Sequence, residues 1–91
     1  MKYSVIPTNQ FKKDMKLLKK RGYDLSKIST VIKLLSDGIE LPERNKDHAL
    51  VGNYDSYREC HISPDWILIY RIKNENLILS LSRTGTHSDL F

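Results

Sequence analysis

The chain has 91 residues, 40% of them hydrophobic and 29% charged, too apolar for a disordered segment and sufficient for one hydrophobic core but not two. Its formal charge of +4 suits polyanionic partners, although such an excess also serves plain solubility. The lone cysteine, Cys60, rules out an internal disulfide and a thiolate zinc cluster, and there is neither a secretory leader nor an apolar run long enough to span a membrane. One cytoplasmic domain over residues 1–91, without membrane contact, is expected.

Lys2-Tyr3-Ser4-Val5-Ile6 is a short β-prone run closed by Pro7. Thr8 can then cap a helix whose apolar positions Phe11, Met15 and Leu18 follow helical spacing and which Gly22 ends. Its other face carries Lys12, Lys13, Lys16, Lys19, Lys20 and Arg21, a solvated surface or one that meets phosphates or an acidic partner. Asp24 caps a second helix, with Leu25, Ile28, Val31, Ile32 and Leu35 on one stripe and Gly38 at its end. Burial is expected for Leu25, Ile28, Ile32 and Leu35.

Residues 39–47, with Pro42 and several charges, read as an extended connection. From Tyr57 the pattern is that of an antiparallel meander: strands over Tyr57–Ile62, Trp66–Ile72 and Leu77–Arg83, joined by turns at 63–65 and 73–76. Trp66-Ile67-Leu68-Ile69-Tyr70 is apolar on both faces, which places it centrally in the sheet. The class is α+β, two N-terminal helices packed on one face of an antiparallel sheet.

Side-chain alternation puts Tyr57, Glu59 and His61 on one face of their strand and Arg58, Cys60 and Ile62 on the other. If Ile62–Asp65 forms a four-residue hairpin loop, His61 lies opposite Trp66. If Lys73–Asn76 forms another, Trp66 lies opposite Arg83, and Glu59, His61 and Arg83 share a face suited to gripping a phosphate and moving a proton. A one-residue slip would scatter this group, and the sequence leaves the register open. Asp65 sits at the mouth of the first hairpin, where Pro-Asp is also ordinary turn chemistry. His48 precedes the sheet, and His87 and Phe91 follow it. No two histidines stand at a short metal-motif spacing, which argues against a metal site, and Cys60 points away from His61, which argues against a thiol nucleophile.

Lys46-Asp47-His48-Ala49-Leu50, Tyr57-Arg58-Glu59-Cys60-His61, Pro64-Asp65-Trp66-Ile67-Leu68-Ile69-Tyr70 and Arg83-Thr84-Gly85-Thr86-His87-Ser88-Asp89-Leu90-Phe91 closely resemble the YafQ branch of the RelE toxin superfamily, the toxin halves of bacterial type II toxin–antitoxin pairs. The resemblance spans nearly the whole chain. It implies a RelE-like fold and a metal-independent endoribonuclease, without cofactor, that cuts mRNA in the ribosomal A site. It further implies inhibition by a cognate acidic antitoxin of RelB or DinJ type, with operator DNA bound only through the antitoxin complex. The family's functional positions fall on His48, His61, Asp65, His87 and Phe91, with Arg83 and Lys46 toward phosphate. Glu59 stands where some relatives have aspartate, and its extra methylene could move the carboxylate into a different hydrogen bond.

The physical reading agrees with that chemistry. RNA carries its own nucleophile, the 2′-hydroxyl, so cleavage needs a base, an acid and positive charge on the phosphorane. Imidazole serves both proton roles, with His61 or His87 as base and the other as acid; Asp65 or Glu59 can orient a ring, Arg83 can grip phosphate and Phe91 can stack on an unpaired base. Two alternatives stand beside this reading. A non-catalytic basic module would need Lys and Arg but not three imidazoles beside carboxylates. A ParE-like topoisomerase poison would share the fold without needing His48, His61 and His87.

Overall fold

In the computed structural model, which describes residues 2–91, β1 (Ser4–Pro7) leads into α1 (Asn9–Lys20) and α2 (Leu25–Ser36). Then follow β2 (His48–Ala49), β3 (Arg58–Ser63), β4 (Trp66–Lys73), β5 (Ile78–Gly85) and the short helix α3 (His87–Leu90). The helices begin where their caps dictate: Thr8 Oγ1 accepts from Phe11 N at 3.0 Å, and Asp24 Oδ1 from Ser26 N at 3.1 Å. They end before Gly22 and Gly38, whose φ values of +82° and +74° suit glycine.

The five strands form one sheet in the order β1-β5-β4-β3-β2. It is mostly antiparallel, as expected, but β1 runs parallel to β5 at one edge. Phe11, Leu18, Ile28, Val31 and Leu35 pack from the helices onto Cys60, Trp66, Leu68, Tyr70, Leu79 and Leu81 of the sheet. Ile28 and Leu35 are fully inside. Leu25 and Ile32 are only half-buried, flanking the core instead of entering it.

Four elements were not anticipated, one of them a 3-10 turn over Gly52–Tyr54. Residues 43–45 form a 3-10 turn within the supposedly extended connection, His48–Ala49 is a short strand, and the tail after Gly85 is helical. A two-residue strand carries no periodic signal, so its existence depends entirely on its partner β3.

The strand register also differs from the expected one. His61 pairs with Ile67 and Glu59 with Ile69, while Ile69 pairs with Arg83, and irregularities fall between His61 and Ser63 and between Ile69 and Tyr70. Trp66 therefore does not face His61. Its side chain is buried against the helices, donating from Nε1 to Thr84 Oγ1 at 2.9 Å and meeting Tyr23 edge-on at 5.1 Å. Both expected pairings erred by an odd number of residues, so the two errors cancel: Glu59, His61 and Arg83 do share the face opposite Cys60 and Leu68.

Candidate active site

Glu59 is a buried carboxylate near the β2 edge of the sheet. Its Oε1 lies 3.7 Å from His48 Nε2, 3.6 Å from His61 Nε2 and 4.0 Å from His87 Nε2. Each ring arrives from a different element. His48 is the cross-strand partner of Glu59 on β2, His61 stands two residues along β3, and His87 opens α3.

The far side of every ring is held by an acceptor. His48 Nδ1 lies 2.6 Å from the Lys46 carbonyl, His61 Nδ1 3.3 Å from the Pro64 carbonyl and His87 Nδ1 3.1 Å from Asp65 Oδ1. A carbonyl can only accept, so Nδ1 of His48 and His61 carries the proton, and the Asp65 carboxylate imposes the same tautomer on His87. In the neutral rings all three Nε2 atoms thus present lone pairs toward one point. Such an arrangement can take up and return protons, or ligate a cation.

The positions of these rings rest on contacts that sequence reading assigned no role. Asn45 Nδ2 donates to the His61 carbonyl at 2.7 Å, tying the 3-10 turn onto β3. Asp47 accepts from the Tyr70 hydroxyl and from Arg58 Nε, and holds His48 against Glu59 by fixing the residue before it. Lys46 adopts φ +46°, a left-handed turn that aims its carbonyl at His48. With Arg44, Asn45, His61, Ser63 and Pro64, Lys46 also lines a cavity of about 440 Å³, so two cations border His61 where only Lys46 was expected.

α3 is anchored by Asp89, which completes a capping box with Thr86 and receives Arg21 Nη1 at 2.7 Å and Nη2 at 3.2 Å. The hydrogen bond from Arg21 is the main reason the Asp89 carboxyl lies far below its usual range, with the Thr86 backbone N–H next. A depressed carboxyl contributes stability that is complete above its ordinary pKa of about 3.9 and is lost as pH falls through the folded value. Arg21→Ala is therefore expected to move the acid-unfolding midpoint, followed by circular dichroism, to higher pH. It should also lower activity several-fold, far less than loss of His87; an unchanged midpoint would contradict this anchoring.

Arg83 does not join the imidazoles directly. Its Nε and Nη2 donate to Asp14 Oδ2 and Oδ1 at 2.8 and 3.2 Å, and the bond to Asp14 is the first cause of a guanidinium pKa above its ordinary value. Phe91 connects the two regions: its ring lies 6.5 Å from His87 and 5.6 Å from Tyr54. Cys60 is wholly buried and its thiol is pushed up to about 12 by that burial, which leaves it unfit as a nucleophile.

Folding brings together residues that lie far apart along the chain. One ligand atom each from Glu59, His61 and His87 lies within 4.8 Å of the others, because α3 returns His87 to β3 across a separation that no short motif describes. Imidazole and carboxylate suit zinc or copper, and second-side hydrogen bonds like those on Nδ1 are typical of ligating histidines.

Two helices packed on one face of a five-stranded, mostly antiparallel sheet make the fold of a class of small bacterial toxins. The family model for the bacterial toxin of the type II toxin–antitoxin system, YafQ, matches residues 3–91, and the chain belongs to this family. It is 42% identical over 85 residues to the mRNA interferase toxin YafQ of Escherichia coli (strain K12), covering 92% of this chain and 90% of that protein. The toxin in the crystal structure of the E. coli DinJ–YafQ complex superposes with a TM-score of 0.88 at 40% identity, covering 98% of each chain. A metal-bound toxin from Helicobacter pylori superposes with a TM-score of 0.92 at 39% identity, covering 98% of this chain and 99% of that one.

Proposed function

We propose that this protein is a single-domain endoribonuclease over residues 1–91 that cleaves mRNA in the A site of translating ribosomes in the cytoplasm, and that a cognate acidic antitoxin restrains it. The observation that carries the reading is the convergence of Nε2 of His48, His61 and His87 on Glu59, with each Nδ1 held from behind. The activity of the E. coli relative and the DinJ partner of the solved complex support it.

In this mechanism one imidazole of the His61–His87 pair, whose ring centroids lie 5.6 Å apart, removes the proton of the 2′-hydroxyl. The oxygen attacks the adjacent phosphorus, and the other imidazole protonates the departing 5′-oxygen. Asp65 orients His87 by accepting from its Nδ1, while Glu59, which can only accept, draws in whichever ring carries a proton on Nε2. Lys46 and Arg83 supply positive charge around the phosphorane, and Phe91 offers a stacking surface. The basic face of α1 suits a flexible acidic antitoxin that folds as it binds.

A second reading has support of its own, in the Glu59, His61 and His87 ligand set and the metal-bound relative. Those three residues would hold a cation, which would supply an activated water and leave a 3′-hydroxyl product. Metal removal separates the two. Protein stripped of metal should retain full cleavage on ribosomes kept in their own magnesium, and its products should end in a 2′,3′-cyclic phosphate or 3′-phosphate. Activity that returns only when zinc, copper or manganese is restored to the stripped protein would replace proton transfer with metal ligation.

A further inference from the structure

A second cavity, of about 390 Å³, opens beside the imidazole group and is lined by Gln10, Asn53, Tyr54, Tyr57, Ile69 and Arg83. Its walls are chemically divided. Tyr54 and Tyr57 meet edge to face at 6.5 Å, and Arg71 lies over the Tyr57 ring at 5.7 Å. Opposite in character are the amides of Asn53 and Gln10 and the guanidinium of Arg83. Asp14 engages only Nε and Nη2 of that guanidinium, so Nη1 is the edge it leaves for a ligand.

A row of ring contacts links the wall of the cavity to the imidazole group. Ring centroids step from His61 to His87 at 5.6 Å, to Phe91 at 6.5 Å, to Tyr54 at 5.6 Å and to Tyr57 at 6.5 Å. Phe91 and Tyr54 are both exposed. A partly exposed row of rings that ends in a cavity with a cation and two amides has the makeup of a single-strand nucleic-acid site: π faces for bases, donors and acceptors for their edges, positive charge for the backbone.

We propose that this cavity is a nucleobase subsite, in which the exposed Tyr54 ring stacks on one unpaired base of the mRNA next to the scissile phosphate and the perpendicular Tyr57 ring buttresses it edge to face, while Arg83 contacts the backbone and Asn53 and the Gln10 amide oxygen meet the base edge. The assignment rests on the ribonuclease reading above and adds to it the residues that select and hold the flanking nucleotide. Because the amides contact the base edge, the subsite favours some bases over others at that one codon position.

The test uses the full-length protein on ribosomes programmed with mRNA that carries 2-aminopurine in turn at each A-site codon position, with a 2′-deoxy sugar blocking cleavage. Wild-type protein should quench the fluorophore at one position. Tyr57→Leu, which removes only the buttress, should weaken that quenching in part, and Tyr54→Leu, which keeps apolar bulk but no ring, should abolish it and weaken binding roughly tenfold or more, the scale of one lost base–aromatic stack. Tyr54→Trp should restore it. On unblocked mRNA the leucine variants should raise KM while kcat changes little, with circular dichroism reporting an intact fold.

Wild-type protein that cleaves mRNA alongside leucine variants equal to it in quenching and KM would overturn the subsite alone. Wild-type protein that cleaves no RNA would overturn the functional reading, and the subsite with it. Loss of antitoxin binding in the leucine variants, with quenching intact, would assign the cavity to the protein partner and likewise overturn the proposal.

Discussion

His87→Ala should lower mRNA cleavage on translating ribosomes about 10²–10⁴-fold, the range over which a general acid or base contributes. The ring stands on an exposed four-residue helix and belongs to none of the buried core, so thermal stability and ribosome association should scarcely change. The ring is nonetheless well placed. Asp65 holds its Nδ1, His61 lies beside it, and its Nε2 completes the set around Glu59. Single-turnover cleavage with ribosome pelleting as the control checks this, and comparable cleavage by the variant and the wild type would remove His87 from the mechanism.

Asp14→Ala should be strongly destabilising, although the residue lies on a helix and not in the apolar core. The Asp14 carboxylate accepts from Arg83 Nε and Nη2, from Gln10 Nε2 at 3.1 Å and from the Thr84 backbone N–H at 3.1 Å. That last donor matters because β1 pairs with β5 only as far as Leu81, so Asp14 covers the part of the strand that β1 does not reach. Alanine would leave a buried N–H and a half-buried guanidinium without their acceptor. An unmet buried donor costs about 1–3 kcal/mol, and the partial exposure of Arg83 keeps the ionic part below that of a fully buried pair. A total near 3 kcal/mol corresponds to a fall in Tm of roughly 10–20 °C for a domain of this size. Asp14→Asn, which keeps one acceptor oxygen, should fall between; a drop under about 2 °C for alanine would be inconsistent with this account.

Much of this was legible in the chain itself. The helices followed from caps and apolar spacing, the central strand from its two-sided hydrophobicity, and the shared face of Glu59 and His61 from simple alternation. The strand register was not, because bulges near Ser63 and Tyr70 depend on how the sheet twists against the helices and leave no periodic trace. That is why only a four-residue loop would have set Trp66 opposite His61, whereas Trp66 pairs with Ser63 and its side chain lies in the core. Asp14 drew no reading and Asp89 none beyond its place in the C-terminal motif, because each acts through a partner 68 to 70 residues away. Arg83 was expected at the phosphate, and Asp14's hold on two of its nitrogens could be seen only once α1 was docked beside β5. The proximity of Glu59, His61 and His87 was hidden for the same reason: ligand spacing along a chain says little when the residues come from different elements.

The sheet order has a consequence for the order of synthesis. β5 lies between β1 and β4, so the first strand to leave a ribosome has no partner until the last strand has followed it. The helices that β1 leads into cannot close over a finished sheet before then, and His87 emerges later still. The ribosome making this chain therefore carries a polypeptide whose imidazole cluster stays unassembled until β5 and His87 have emerged. On the function proposed above, such a protein is inert toward the ribosome producing it until those last elements have emerged, through topology alone and without any inhibitor.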